Sequence, residues 1–516
     1  MRCLVFLLSL SLIVLPAWSS TEAEQLQRKV KQLQEQTQHV QKELTELNRS
    51  LNKKAKKKEK SKKSPELKSS LPPVHDTSLS VHAFDGHPES VEFYPAALIA
   101  DDHVVTYIAG MPVVTAPYIG SRPAFDGSDY IVNISSINRD IRLMQQRRRL
   151  YRAFNQMGYE QPNLPIIALS GKAEPIASIG RQYFGTSKTD ISLASSELDV
   201  AAALNDKVQA YMAIAYDSSP PAFSGQRVAN SSFNLNMGFV NIGDLDKTPY
   251  YFTAGQIFVP FGRFSSSMVS APLTMRLTRT KARPFILGYK SQGDTGAFAA
   301  VYGFTGDTTL NNAGVGGINL GYVFSTTHGA GEIGASYISS VNNAGGMQAT
   351  GSFAGTTFGG FGSLTNGSEN VKKIPGAGAH LSVSIERYNI TAEWVSVTER
   401  FRTQDLSFNN TGAKPQAGQL EGAFTFIVFD RPSSLAADYQ WSRQALALNI
   451  PEQRFSGVFN ISIWKDTVES LEYRHDIDYN INQTGNGAAP AGLVNQLTRG
   501  TGGSADTVLA MIGVYF

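Results

Sequence analysis

Residues 507–516, TVLAMIGVYF, decide the fold, because they alternate two sets of side chains and stop on an aromatic. Successive side chains of a strand point to opposite faces, so Val508, Ala510, Ile512, Val514 and Phe516 share one wholly apolar face. Two architectures use such a strand. One is a closed transmembrane barrel whose outside meets hydrocarbon, and the other is a soluble sheet whose one face meets a core. The segments upstream distinguish them.

From about residue 164 the pattern is one of short strands. In 197–216, Leu198, Val200, Ala202 and Leu204 share a face, Asn205-Asp206 makes a turn, and Val208, Ala210, Met212 and Ile214 share a face on the return. Further strand candidates run near 233–240, 250–259, 273–278, 285–290, 297–304, 314–324, 331–338, 379–386, 390–399, 420–429, 435–441, 455–464 and 468–475. With 165–176 and the last strand, the tally is roughly sixteen. Short turns at 205–206, 243–248, 292–295, 326–330, 387–389, 430–433 and 465–467 alternate with longer polar loops, notably 259–272, 339–376, 400–418 and 476–505. Short connections on one side and long ones on the other are the asymmetry of an outer-membrane barrel, with periplasmic turns and extracellular loops. A terminal strand ending on Phe also resembles the closing strand of such barrels.

Composition agrees. There are 46 Gly, 20 Tyr and 28 Phe, as a barrel with aromatic girdles and long loops requires. A mean hydropathy of −0.17 excludes a polytopic helical membrane protein but permits a barrel, whose strands are apolar on one face only. The net charge of +3 comes mostly from residues 53–63, KKAKKKEKSKK, so it gives no argument for nucleic acid. Polar strand residues such as Glu197, Asp199, Glu421, Asn460 and Glu472 are expected to face a water-filled lumen and stay solvated there.

Ahead of the barrel, residues 1–19 read as a signal peptide: Arg2, an apolar run over 4–15, Pro16 and the small-x-small Ala17-Trp18-Ser19. The run is shorter than the ~20 residues of a spanning helix. The single cysteine, Cys3, falls within it, so a mature chain would have no thiol or disulfide, as suits export. Residues 20–52 carry Leu26, Val30, Leu33, Thr37, Val40, Leu44, Leu47 and Leu51 at alternating steps of four and three, a coiled-coil spacing that predicts self-association as dimer or trimer. A lone amphipathic helix on a partner is the alternative. Residues 53–80 are a Lys/Ser/Pro-rich linker, and 81–163 a pre-barrel segment with one basic amphipathic helix over 136–157, which a partner surface or the lumen could receive. The barrel is then 164–516.

No H-E-x-x-H, G-x-S-x-G or P-loop occurs, and His75, His82, His87 and His103 have spacings that fit no metal site. The expectation is a transport protein rather than an enzyme, without cofactor or metal. For solute contact the candidates are Arg263, Arg276, Arg279, Lys281 and Arg283, an interval that no acidic residue interrupts. In a lumen they would make a positive constriction favouring anions; on the rim they would face lipopolysaccharide phosphates. Tyr250, Tyr251, Phe252 and Phe261 nearby read as interfacial girdle.

The stretch 242–262, IGDLDKTPYYFTAGQIFVPFG, and the earlier 124–133, AFDGSDYIVN, resemble the LbtU-like siderophore porins, outer-membrane proteins of gamma-proteobacteria. The resemblance extends to the order of signal, coiled coil, basic linker, FDGSD-bearing segment and barrel. It implies uptake of a ferric siderophore across the bacterial outer membrane without a large plug domain, with the coiled coil in the periplasm and lipid and lipopolysaccharide around the barrel. It transfers no binding residues. A general anion-favouring diffusion porin is the alternative, since both need an open polar lumen. An envelope tether or adhesin anchored by the barrel is the third reading.

Overall fold

Strands that are apolar on one face and polar on the other can join into a sheet that closes on itself, and this chain closes one such sheet of sixteen strands. The computed structural model describes residues 104–108, 111–115, 138–141, 143, 144, 147 and 166–515, less 218–231, 293–294, 307–313, 327–328, 350–371, 386, 404, 430, 465–466 and 487–498. The expected signal peptide, coiled coil, linker, histidine group, FDGSD stretch and Phe516 lie outside the described residues. Its barrel strands are β1 (Ile166–Arg181), β2 (Ser187–Ala203), β3 (Val208–Asp217), β4 (Ser232–Gly243), β5 (Tyr250–Phe258), β6 (Phe285–Lys290), β7 (Gly296–Thr305) and β8 (Gly314–Thr326). The circuit continues with β9 (Gly329–Ile338), β10 (Gly376–Ile385), β11 (Tyr388–Val397), β12 (Gln416–Val428), β13 (Arg431–Arg443), β14 (Gln453–Ile461), β15 (Thr467–Ile477) and β16 (Ser504–Tyr515).

Each strand pairs antiparallel with the next, and β16 returns to β1 with Val508 opposite Ile179 and Tyr515 opposite Lys172. Closure leaves no free edge. The seam is fastened from inside, where the Tyr515 hydroxyl donates to Glu174 Oε1 at 2.8 Å and Lys172 Nζ lies 3.1 Å from Glu174 Oε2. Beyond the end of β16, residues 113–115 of a small hairpin run parallel to 167–169 of β1.

The two faces of the wall are chemically opposite. On β16, Val508, Ala510, Ile512 and Val514 are exposed while Met511, Gly513 and Tyr515 point inward, as the alternation predicted. On β12 and β13, Leu420, Leu435 and Tyr439 face out while Glu421, Asp438 and Gln440 face in. Aromatic pairs on adjacent strands brace this exterior, among them Tyr388 with Phe424 and Tyr439 with Phe455, each 5.0 Å between ring centroids. An apolar outside around a charged inside inverts a soluble protein and matches a wall facing hydrocarbon.

Three local expectations fail. Residues 273–278, read as a strand, form a short helix, α1 (Leu273–Thr278), because Leu273 and Leu277 are also spaced one helical turn apart and both bury on the same side. Tyr251 and Phe261 are not girdle residues: both are buried inside, whereas Tyr250 is 67 % exposed on the outer face. Nor is the interior simply water-filled. A contiguous apolar cluster joins Tyr211, Phe239 and Tyr251 of the inner wall to Ile141, Leu143 and Met144, and extends through Phe261, Phe264, Leu273 and Leu277.

Candidate functional site

The connection between β5 and β6, residues 259–284, was expected to begin as an outer loop and instead folds into the barrel. Its entry is sterically determined. Gly262 has φ +72°, and a Cβ there would collide with the Phe264 ring and approach Glu393. Phe264 itself adopts φ 59°, an uncommon conformation for a bulky residue, held by its surroundings. The turn aims successive backbone N–H groups at one carboxylate: Arg263 N and Phe264 N donate to Glu393 Oε1 at 2.6 and 3.1 Å.

Beyond this turn, inward polar residues of five neighbouring strands hold the loop. Glu393 of β11 also accepts the Thr274 hydroxyl at 2.8 Å, and Glu421 of β12 accepts Ser267 N and the Ser266 hydroxyl, both at 2.7 Å. Gln440 of β13 accepts Leu273 N at 2.7 Å, Arg454 of β14 donates to Ala271 O at 3.1 Å, and Glu472 of β15 accepts Ser270 N at 2.9 Å and its hydroxyl. Glu421 and Glu472, expected to be solvated, are thus buried and bonded. Charge-assisted bonds to backbone N–H groups are among the stronger ones in proteins. The loop is a fixed constriction rather than a loose flap.

The five expected basic residues do not form one cluster. Arg263 is ion-paired with Glu332 of β9, which also receives His380 Nε2 at 3.0 Å, so its charge is neutralised locally. Arg279 stacks its guanidinium 4.5 Å over Phe258. Lys281 Nζ donates to Asn236 Oδ1 at 3.1 Å and Arg283 Nε to Gln256 Oε1 at 3.3 Å, both exposed beside β4 and β5. Arg276 leaves the open face of α1 in the other direction and donates to Asn449 O at 3.3 Å, in the loop after β13.

Arg276 finds company that sequence proximity did not reveal. Its depth in the barrel, then the guanidinium groups of Arg454 and Arg474, push its pKa down to about 10, which leaves it protonated at neutral pH. Arg454 is committed to structure: fully buried, it holds Asp476 through Nε at 2.7 Å and Nη2 at 3.3 Å. Arg474 shares the same carboxylate through Nε at 3.1 Å. Three guanidiniums thus gather around Asp476 on the side of the lumen lined by β14 and β15, with Glu472 also within electrostatic reach of Arg474. Arg454 and Arg474 lie about 180–200 residues from Arg276, so no local motif announces them.

A second element occupies the interior. Residues 139–141, 143, 144 and 147 are helical, inside the basic helix expected over 136–157, and the lumen is what receives them. Arg139 donates to the Tyr211 hydroxyl and lies 3.5 Å from Glu197, while Tyr211 donates to Asp199. Asn241 Nδ2 donates to Asp140 O at 2.9 Å. Arg147 reaches the backbone carbonyls of Asn205 and Gly243 at 3.3 and 3.0 Å, at the short-turn end of the barrel.

No family model matches the chain. Among known proteins it is similar to the UPF0422 protein of Legionella pneumophila (strain Lens), 66% identical over 444 residues, 86% of this chain and 84% of that one. It is also similar to the UPF0422 protein of Coxiella burnetii (strain RSA 493 / Nine Mile phase I), 36% identical over 407 residues, 78% of this chain and 83% of that one. Solved structures of similar outline include an anion-selective porin from Comamonas acidovorans (10% identity, TM-score 0.45, 68% of this chain and 100% of that one). Another is the outer membrane channel DcaP of Acinetobacter baumannii (13% identity, TM-score 0.43, 69% and 99%).

Proposed function

The chain belongs to the UPF0422 family of Legionella and Coxiella proteins, and from its barrel we propose an outer-membrane channel of porin type that passes an anionic solute. The observation that carries this reading is the constriction: a closed sixteen-strand wall with the 259–284 loop fixed across its interior and Arg276 on the loop's open face. A loop fixed this way narrows the path without blocking the wall's function as a membrane seal. Arg276, exposed on that face beside Arg454 and Arg474, supplies positive charge to the path, and a low-dielectric wall strengthens its effect on anions.

Within that class the favoured cargo is a ferric siderophore with several carboxylates, on the strength of the resemblance of 242–262 to the LbtU-like porins. A general anion-favouring diffusion porin fits the same interior equally well. Growth separates them: a deletion strain is supplied with iron on one added siderophore or as free iron. A defect confined to the siderophore condition selects the first reading, and no defect with normal anion conductance in planar bilayers selects the second.

A further inference from the structure

On the outer face of β11–β13, at the end of the wall that carries the long loops, two tryptophans meet over a glycine. Trp394 and Trp441 occupy the strand positions on either side of Gly418, and the Trp441 indole lies so close over it that a Cβ there would stand 2.7 Å from the ring. Arg443, at the next outward position of β13, places its guanidinium 5.6 Å from the Trp441 ring centroid. Two more cations converge from the adjoining loops. Gln444, at φ 55°, accepts Arg400 Nη1 at 3.3 Å and Lys414 N at 2.7 Å through one oxygen, and Arg400 Nη1 also donates to Gly412 O at 2.8 Å. Of the carboxylates beside them, Glu399 is paired with Lys372 at 2.7 Å and Glu452 lies within electrostatic reach of Arg443. The patch is positive on balance.

Below the tryptophans, towards the short turns, the same wall is apolar: Leu420 and Leu435 are more than half exposed, and the Tyr439 and Phe455 rings pack beside them. Cations, then indoles, then a hydrocarbon-facing surface are the layers that an anionic amphiphile of the outer leaflet presents in reverse. We propose that Arg400, Lys414 and Arg443, with Trp394 and Trp441, form an outer-surface site for the phosphorylated sugar headgroup of lipopolysaccharide, whose acyl chains lie along Leu420, Leu435, Tyr439 and Phe455. The charge sits one outward position beyond Trp441, at the depth of a headgroup, which favours a phosphorylated lipid over an apolar partner. The site is outside the lumen and does not depend on which solute the channel passes.

The test is native mass spectrometry of the full chain folded in mild detergent and offered lipid A with its phosphates, the same lipid A dephosphorylated, or phosphatidylglycerol. The wild type should retain phosphorylated lipid A and several-fold less of the other two. Arg400→Gln with Lys414→Gln and Arg443→Gln should lower that retention several-fold, while Arg431→Gln, at the short-turn end of β13, should leave it unchanged. If the triple variant lacks a heat-modifiable band on gels, Arg443→Gln alone is read in its place. Equal retention of phosphorylated and dephosphorylated lipid A by the wild type overturns the headgroup site, whatever the variants do. Equal retention of phosphatidylglycerol means that any lipid phosphate suffices and overturns the assignment to lipopolysaccharide. A variant that keeps its lipid but loses an oligomer formed by the wild type puts a second copy on this face instead, which also overturns it.

Discussion

Asp140 Oδ2 lies 3.0 Å from the Thr253 hydroxyl, which is also 2.7 Å from Asn241 Oδ1. Asn241 Nδ2 donates to Asp140 O, so its Oδ1 is fixed as an acceptor. One hydroxyl proton cannot serve both acceptors. The Thr253 hydroxyl therefore donates to Asp140 Oδ2 or to Asn241 Oδ1, one at a time.

Burial of Asp140 raises its pKa from 3.8 to about 6, against the lowering effect of its bonds from Ile141 N and Thr253. A raised carboxyl pKa means that the docked state binds the proton more tightly than the free helix does. Docking is then fully supported below about pH 4, weakens as pH rises to about 6, and levels off above, by at most about 3 kcal/mol. The Tyr251 hydroxyl, Arg139, Arg147 and the Glu197–Asp199 pair face the same region, so Asp140→Asn is the control that isolates one group. Hydrogen exchange of backbone amides in 139–147, corrected for intrinsic rates, should accelerate at least tenfold between pH 4.5 and 7.5 in the wild type. It should change much less in Asp140→Asn; identical slopes would sink the assignment.

The constriction loop should depend on Glu393 more than on any other single side chain. Glu393→Ala leaves Arg263 N and Phe264 N without their acceptor, at about 1–3 kcal/mol for each buried donor left unsatisfied, while the Thr274 hydroxyl keeps Gln419 Oε1 at 3.4 Å. Glu393→Gln keeps an acceptor and loses only the charge assistance. Single-channel records should show larger, noisier openings for the Ala variant and an intermediate trace for Gln. A quiet wild-type trace from Glu393→Ala would mean that the anchors on Glu421, Gln440, Arg454 and Glu472 hold the loop without Glu393.

The wall was legible in the sequence because its signal is local: two-residue alternation in each strand and short turns on one side both act over a few residues. The inside was not, for the opposite reason. Arg263 meets Glu332 and Glu393, Ser270 meets Glu472, and Arg276 meets Asn449, pairs separated by tens to about two hundred residues. The absence of an acid between 259 and 284 therefore said little about net charge there. For 273–278, Leu-x-x-x-Leu and alternation coexist in six residues, and the register that buries both leucines on the loop's inner side decided for helix. Tyr251 and Phe261 misled because aromatic residues serve both a membrane girdle and a core.

Barrel closure should be sensitive to the last inward side chain of β16. Tyr515→Phe preserves the ring and removes the bond to Glu174, leaving the ion pair of that buried carboxylate with Lys172 in place, and should cost about 1–3 kcal/mol. Val514→Ala, on the outer face beside it, trims apolar surface without touching the polar seam. The temperature at which the folded gel band converts to the unfolded one should fall for Tyr515→Phe and less for Val514→Ala. The reverse order would place the seam's stability in lipid contact rather than in the Tyr515–Glu174 bond.

Selectivity should follow position rather than count of basic residues. Arg276 stands on the open face of α1 beside Arg454 and Arg474, whereas Arg263 is matched by Glu332. Arg276→Gln alone should therefore move the reversal potential under a salt gradient away from anion preference, and Arg276→Gln with Arg279→Gln and Arg283→Gln should move it further. Gln retains length and hydrogen bonding, so a shift reports charge. Arg263→Gln should loosen the loop as well, since it uncovers Glu332 beside His380. Raising salt shortens the screening length from ~10 Å at 0.1 M to ~3 Å at 1 M, so the Arg276 effect should shrink accordingly. Uptake of an anionic ferric siderophore should fall in step with the reversal potential across the series. If the triple variant matches the wild type in both measurements, the 259–284 loop sets only the width of the path, and the cations that choose its solute lie elsewhere on the wall.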